Sequence, residues 1–181
     1  MKRWVALLRG INVGGHRKVP MAELRALCGE LGFEGTETYI ASGNAVFGSA
    51  EDAETIATAL EAALPGRFGF ACDVIVRSAA EWRAHLKSNP FAGDADALPK
   101  MLHLALPRHA LEQGACDAII ERAQPGERIR VTGGALWIDY GSGGVANTQL
   151  SPAFIDKCAG SAVTARNLKS VEAIDELLHR R

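Results

Sequence analysis

The chain has 181 residues, with 20 lysines and arginines against 21 aspartates and glutamates, for a formal net charge of -1. No global field therefore draws it to nucleic acid or to a membrane surface. Hydrophobic residues make up 48% and charged residues 23%; this balance excludes disorder as a description of the whole chain, and the length suits one domain or two small subdomains.

Lys2 to Leu8 is an apolar strand candidate. The basic start, Met1-Lys2-Arg3, resembles the charged end of a signal peptide, but the apolar run stops at Arg9, too short for a signal core or a membrane span. The expectation is a cytoplasmic protein with no membrane association. A glycine-containing loop follows from Arg9 to Lys18. Pro20 suits the first turn of a helix, and Met21, Leu24, Leu27, Cys28 and Leu31 recur with the helical period until Gly32. Thr36–Ala41 and Asn44–Phe47 flank Ser42-Gly43 and read as a hairpin, with one long bent strand as the alternative. Ser49 is placed to cap a helix carrying Ile56, Leu60 and Leu64 and ended by Pro65-Gly66; Cys72 to Val76 is the next strand. The order β-α-β-β-α-β is the ferredoxin-like arrangement. Ser78 and Glu81 form a capping-box pattern for a helix holding Trp82 and Leu86, which ends before Asn89-Pro90.

The second half repeats the order after a turn-rich stretch from Gly93 to Pro99. Met101–Leu106 is a strand, and Leu111, Ala115, Ile119 and Ala123 mark a helix. Arg128–Thr132 and Ala135–Tyr140 flank Gly133-Gly134, a hairpin turn. Ser151-Pro152 opens a helix, Ala162–Arg166 is a last short strand, and Ser170 caps a terminal helix through Val171, Ile174, Leu177 and Leu178. The expected fold is α+β in two subdomains: a ferredoxin-like βαββαβ unit over residues 1–77, and a second βαββα(β) unit with extra helices over 78–181. No residue-level repeat relates the halves.

Several strings occur together: Leu7-Leu8-Arg9-Gly10-Ile11-Asn12-Val13-Gly14-Gly15 leading into Lys18-Val19-Pro20-Met21 and Glu23-Leu24, Tyr39-Ile40-Ala41-Ser42-Gly43-Asn44 ending at Phe47, and Thr164-Ala165-Arg166-Asn167. In this combination the chain resembles the bacterial DUF1697 family over nearly its whole length. The resemblance implies a compact α+β fold in two parts and supplies no activity, substrate or catalytic residue. One departure stands out: after the double glycine, where lysine or a similar polar residue is expected, this chain has His16.

Known catalytic patterns are missing. Gly10-x-x-x-x-Gly15-His16-Arg17 lacks the lysine and hydroxyl of a P-loop, and neither the dinucleotide fingerprint, a G-x-S-x-G elbow nor an H-E-x-x-H motif is present. The five histidines are scattered, and the four cysteines, Cys28, Cys72, Cys116 and Cys158, have no metal-ligand spacing and read as buried thiols on apolar stripes. No cofactor or metal is expected. Trp82, Trp137 and Tyr39 invite base stacking, but the aromatic signature of RNA-binding sheets is missing, so nucleic acid is disfavoured as a partner.

What remains is a set of donors and glycines. In a ferredoxin-like sheet of order 4-1-3-2 the loop after the first strand and the hairpin after the second lie at one sheet end. That places Arg9, Gly10, Asn12, Gly14, Gly15 and Arg17 near Ser42, Gly43 and Asn44, where backbone N–H groups, amides and guanidinium groups can hold an anion. Turn chemistry alone accounts equally for Ser42-Gly43-Asn44. Arg166 and Asn167 precede a helix start; they either close a cleft onto the first half or only satisfy helix-entry donors. The leading expectation is therefore non-catalytic binding of a small anionic or nucleotide-like ligand near residues 10–18. The alternatives are an enzyme working through Ser42 or Asp139, with Asp139 otherwise a solvent-facing strand residue, and an interaction module using sheet edges or residues 141–147.

Overall fold

A computed structural model describes residues 1–180. The fold is mixed α+β, with two four-stranded antiparallel sheets and six helices among the described residues. By packing, the chain divides into two units, Met1–Arg83 with Ala173–Arg181, and Ala84–Glu172. The expected division at residue 77 differs from this partition at Ser78–Arg83 and at the C-terminal end.

In the first unit the elements are β1 (Lys2–Leu8), α1 (Met21–Glu30), β2 (Glu34–Tyr39), β3 (Asn44–Ser49), α2 (Ala53–Phe68), β4 (Val74–Ser78) and α3 (Ala79–Lys87), the last crossing into the second unit. The sheet order is β2-β3-β1-β4, and β1 is antiparallel to both its neighbours. Since β2 is also antiparallel to β3, β1 and β2 run the same way, and the segments that follow them emerge at the same sheet end. On β1, Trp4, Ala6 and Leu8 meet Leu24, Leu27, Ile56, Leu60 and Leu64 in one core, while the alternate residues Val5 and Leu7 are buried as well. Burial on both faces explains why β1 reads as a continuous apolar run rather than an alternating one. Phe33 and Phe47 stack in this core with centroids 4.4 Å apart.

Helix boundaries are set by local chemistry. Ser78 and Glu81 make the expected capping box: the Ser78 N–H donates to the Glu81 carboxylate at 2.8 Å, and the Glu81 N–H donates to the Ser78 hydroxyl at 3.2 Å. The cap of α2 is Asp52, which accepts from the Thr55 N–H at 2.8 Å, rather than Ser49, whose hydroxyl accepts from the Glu51 N–H. Pro65 does not end α2 as expected: the helix runs through it, without a proline N–H for the carbonyl four residues back, to Phe68 and stops at left-handed Gly69, whose N–H donates to the Pro65 carbonyl at 2.9 Å.

The second unit contains β5 (Leu102–Pro107), α4 (Ala115–Arg122), β6 (Arg128–Thr132), β7 (Ala135–Asp139), α5 (Pro152–Ala159) and β8 (Val163–Asn167); α6 (Leu168–His179) begins there and ends in the first unit. The sheet order β6-β7-β5-β8 repeats that of the first unit. Gly133 and Gly134, both at positive φ, turn β6 into β7 as expected. Ile119, Ile129, Leu136, Ile138 and Ile155 form the core beneath α4 and α5. Leu111 lies outside α4, which starts only at Ala115. The cap of α6 is Asn167, whose Oδ1 accepts from the Ser170 N–H at 3.0 Å, so Ser170 lies inside the helix rather than capping it. No helix is long and apolar enough to cross a membrane among the described residues.

Candidate functional site

The residues after β1 do not form an open glycine loop. The Asn12 N–H donates to the Arg17 carbonyl at 3.1 Å, the His16 N–H donates to the Val13 carbonyl at 3.1 Å, and Val13 bridges to His16. Gly14 and Gly15 form the tip with φ of 59° and 78°, as a type I′ turn requires. The segment is thus a small β-finger. The sequence held the signal, a Gly-Gly pair between a β-branched residue and a polar one, but the run is too short to show alternation.

Asn12 ties this finger down. Its Oδ1 accepts from the Val19 N–H at 2.8 Å, and its Nδ2 donates to the carbonyls of Val19 at 3.0 Å and Ala41 at 2.6 Å. The last bond joins the finger to the β2–β3 turn. Leu8 adds a second tie, its N–H donating to the Gly43 carbonyl at 2.8 Å. Arg17 lies over the Phe70 ring, 4.9 Å from its centroid, and donates to the Ala71 carbonyl. Asn44 is fully buried; its Nδ2 donates to the Tyr39 carbonyl at 3.0 Å and to the Ser42 hydroxyl at 2.9 Å. Gly43 has φ of 80°, and a Cβ there would come within 2.7 Å of Ile11 Cδ1 and 2.9 Å of Leu8 Cβ. Glycine is therefore demanded twice, by conformation and by space. Next to the finger, an open depression of about 410 Å³ is lined by Asn12, Gly15, Lys18, Val19, Pro20, Met21 and Ala41. Pro20 occupies the N-cap position of α1, with no side-chain cap on the first N–H groups.

The structure therefore brings Arg9, Gly10, Asn12, Gly14, Gly15 and Arg17 to the same sheet end as Ser42, Gly43 and Asn44. Asn12 and Asn44 direct polar groups inward to bond the backbone, while exposed Arg17 donates to the Ala71 carbonyl at the surface. Arg166 and Asn167 belong to the second unit, on β8, where Arg166 Nη1 donates to Thr164 Oγ1 and to the Ala165 carbonyl, both at 2.9 Å. Three non-glycine residues of the described chain have positive φ, namely Asn12 (55°), Arg17 (51°) and Ile40 (48°), and all three fall in this region. For a β-branched residue such as Ile40 this conformation is costly. Sequence reading names Asn12 and Arg17 as candidate site residues but not Ile40, and it marks none of the three as left-handed, because local spacing carries no signal for that conformation.

A family model described as a protein of unknown function, DUF1697, matches residues 1–137. The chain belongs to the DUF1697 family. The DUF1697 match covers both the finger and the β2–β3 turn. Among solved structures, this DUF1697 chain is similar to the conserved bacterial protein SP0830 from Streptococcus pneumoniae, with 26% identity, 98% of each chain covered and a TM-score of 0.77. No curated protein matches.

In the second unit of this DUF1697 protein the expectation for Asp139 is overturned. Asp139 is 1% exposed, not solvent-facing. Its Oδ2 accepts from Arg128 Nε at 2.9 Å and Nη2 at 2.6 Å, and its Oδ1 accepts from the Gly141 N–H at 3.0 Å. Arg128 also reaches Asp94 at 2.5 Å and lies over the Phe91 ring. The cluster fastens the 91–94 turn to β6 and β7. Trp82 and Trp137 are fully buried and not placed to stack on a base. Cys28 and Cys72 are buried and Cys116 and Cys158 half-buried; burial pushes the Cys28 thiol up to about 12, with a bond to Thr36 acting the other way, so it is inert near neutral pH. His103, between β7 and β8, is bonded through Nδ1 to the Met101 carbonyl and meets the Tyr140 ring edge-on. Burial holds its pKa below the usual imidazole range.

Proposed function

We propose that the end of the first unit formed by the 10–18 finger and the β2–β3 turn is a recognition site for an anionic ligand, and that the protein acts by binding. The observation that carries this reading is the clustering of all three left-handed non-glycine residues of the described chain in two loops bonded to each other. Strained backbone persists only where surrounding bonds hold it, and it gathers at ligand sites. Charge supports the anionic class: from Arg9 to Ala22 the chain has no acidic residue, and His16, Arg17 and Lys18 are exposed. The uncapped start of α1, beside Lys18 in the depression, adds the positive end of a helix dipole. The candidate set is Arg9, Gly10, Asn12, Gly14, Gly15, Arg17, Ser42, Gly43 and Asn44, to which Lys18 is added.

Thermal unfolding in the presence of pyrophosphate, nucleotides, phosphosugars and dicarboxylates tests the reading. A ligand at a hundred times its Kd stabilises the native state by about 2.7 kcal/mol. The expected result is an upward shift with at least one anion, reduced in Arg9→Ala and in Lys18→Glu. Shifts that persist in both variants would place the anion elsewhere.

A further inference from the structure

The chemistry left exposed at this end narrows the ligand class. The side-chain amides that would grip a small oxyanion are already committed, and the Arg17 guanidinium is held in place by one bond and one ring contact. Asn12 Nδ2 serves two carbonyls, Asn44 Nδ2 serves a carbonyl and a hydroxyl, and the Arg17 guanidinium serves the Ala71 carbonyl above Phe70. The finger's Asn12 and His16 N–H groups close its own hairpin. These bonds close the segment into a hairpin rather than an open loop of the kind that cradles a phosphate.

Two aliphatic side chains face outward here. Val13 is 67% exposed and Ile40 is 52% exposed. Each lies one residue from the bond that joins Asn12 to Ala41, so the two apolar tips belong to one braced patch. Folding gains nothing from an exposed isoleucine at φ of 48°, where glycine or asparagine would be less strained. On the same segment as Val13, exposed His16 bridges to it and exposed Lys18 lines the depression beside Asn12 and Ala41, in a stretch from Arg9 to Ala22 without acidic residues. A lysine ammonium on a flexible stem suits a carboxylate that arrives on a flexible partner more than it suits bidentate capture.

Building on the anion-binding reading, we infer that the occupant is an acidic protein segment carrying an aliphatic or aromatic side chain. That side chain packs across Val13 and Ile40, and the flanking carboxylates lie toward Lys18 and His16. Aliphatic contact gives the specificity, and charge complementarity brings the segment in.

The test uses the full chain and an array of acidic peptides of about twelve residues, a length that spans such a patch. One set interleaves Asp and Glu with Leu, Val or Phe, and a second set has Ser in place of every apolar residue. Binding is followed by fluorescence anisotropy, with pyrophosphate and phosphatidylserine vesicles as comparison probes. The expected result is saturable binding to interleaved peptides and not to the serine set. Val13→Ser combined with Ile40→Asn should weaken it about tenfold or more, the scale of losing two aliphatic contacts. Lys18→Glu should weaken it too, and asparagine at position 40 accepts the left-handed backbone, so thermal midpoints should hold. Interleaved-peptide binding unchanged in the double variant would overturn the inference. So would pyrophosphate binding tighter than any peptide, or binding to vesicles alone; the pyrophosphate outcome would leave the anion reading standing. No binding to peptide, pyrophosphate or vesicle would overturn both.

Discussion

Replacing Asn12 with alanine should loosen the whole loop end of the first unit. The side chain makes three bonds to backbone groups, at 2.8, 3.0 and 2.6 Å. Each contributes about 0.5–1.5 kcal/mol net, and a half-buried setting argues for the lower part of that range. Alanine also meets a left-handed backbone at φ of 55°, which costs a residue with a Cβ about 1 kcal/mol or more. Together these give about 3 kcal/mol of destabilisation for Asn12→Ala. Asn12→Gly loses the same bonds but accepts the backbone, so it should cost less. Urea unfolding of the two variants measures both numbers. Amide exchange supplies a local readout, because the Val19 N–H has Asn12 Oδ1 as its acceptor and should lose protection in either variant. A cost below about 0.5 kcal/mol, within the range of ordinary surface substitutions, or a glycine variant less stable than the alanine one, would show that Asn12 does not brace these loops.

The same structure makes three further outcomes testable. Gly43→Ala combines a φ of 80° with a Cβ placed 2.7 Å from Ile11 Cδ1; it should destabilise by about 2–4 kcal/mol in chemical denaturation, and a cost under about 1 kcal/mol would mean that the β2–β3 turn repacks freely. Arg128→Ala leaves the buried Asp139 carboxylate with only the Gly141 N–H and should cost about 3–5 kcal/mol, whereas Asp94→Asn, which removes the more exposed partner of the same guanidinium, should cost far less; equal costs would refute the asymmetry. The His103 pKa lies below its ordinary 6.5 because burial disfavours the charged ring, so the stability this group contributes is fully present above pH 6.5 and is lost as pH falls through the folded-state value. His103→Gln should flatten that limb of a stability–pH curve, and an unchanged slope would show that His103 does not contribute to it.

Much of the architecture was legible because period and punctuation agreed. The Ser78–Glu81 box, the Gly133-Gly134 turn and the apolar stripes of α1 and α2 each carry a local signal, and local signals survive folding. Errors came where two local solutions compete. Ser49 and Asp52 both suit a helix start, and the choice of Asp52 follows from where β3 ends. Asn167 and Ser170 compete in the same way. Asp139 looked solvent-facing because its burial depends on Arg128, eleven residues earlier, folding back across a hairpin. The site residues divide along this line. Topology brings the 9–18 and 42–44 segments together, and strand order alone anticipates it. The direction of each polar group does not follow from strand order: Asn12 and Asn44 read as ligand donors and turn inward to brace the backbone, while Arg17 stays exposed above Phe70. Val13, read as part of the glycine-containing loop, and Ile40, read as part of the Thr36–Ala41 strand, are aliphatic side chains left facing out.

The most direct test of a recognition site at this sheet end is a two-dimensional amide NMR titration of the full chain with pyrophosphate and with an interleaved acidic–apolar peptide. The expected result is shifts concentrated at residues 9–21 and 39–44, larger for the peptide and reaching Val13 and Ile40. Shifts centred in the second unit, around the depression lined by Ile120, Pro125 and Arg130, or no shifts with either probe, would contradict the assignment.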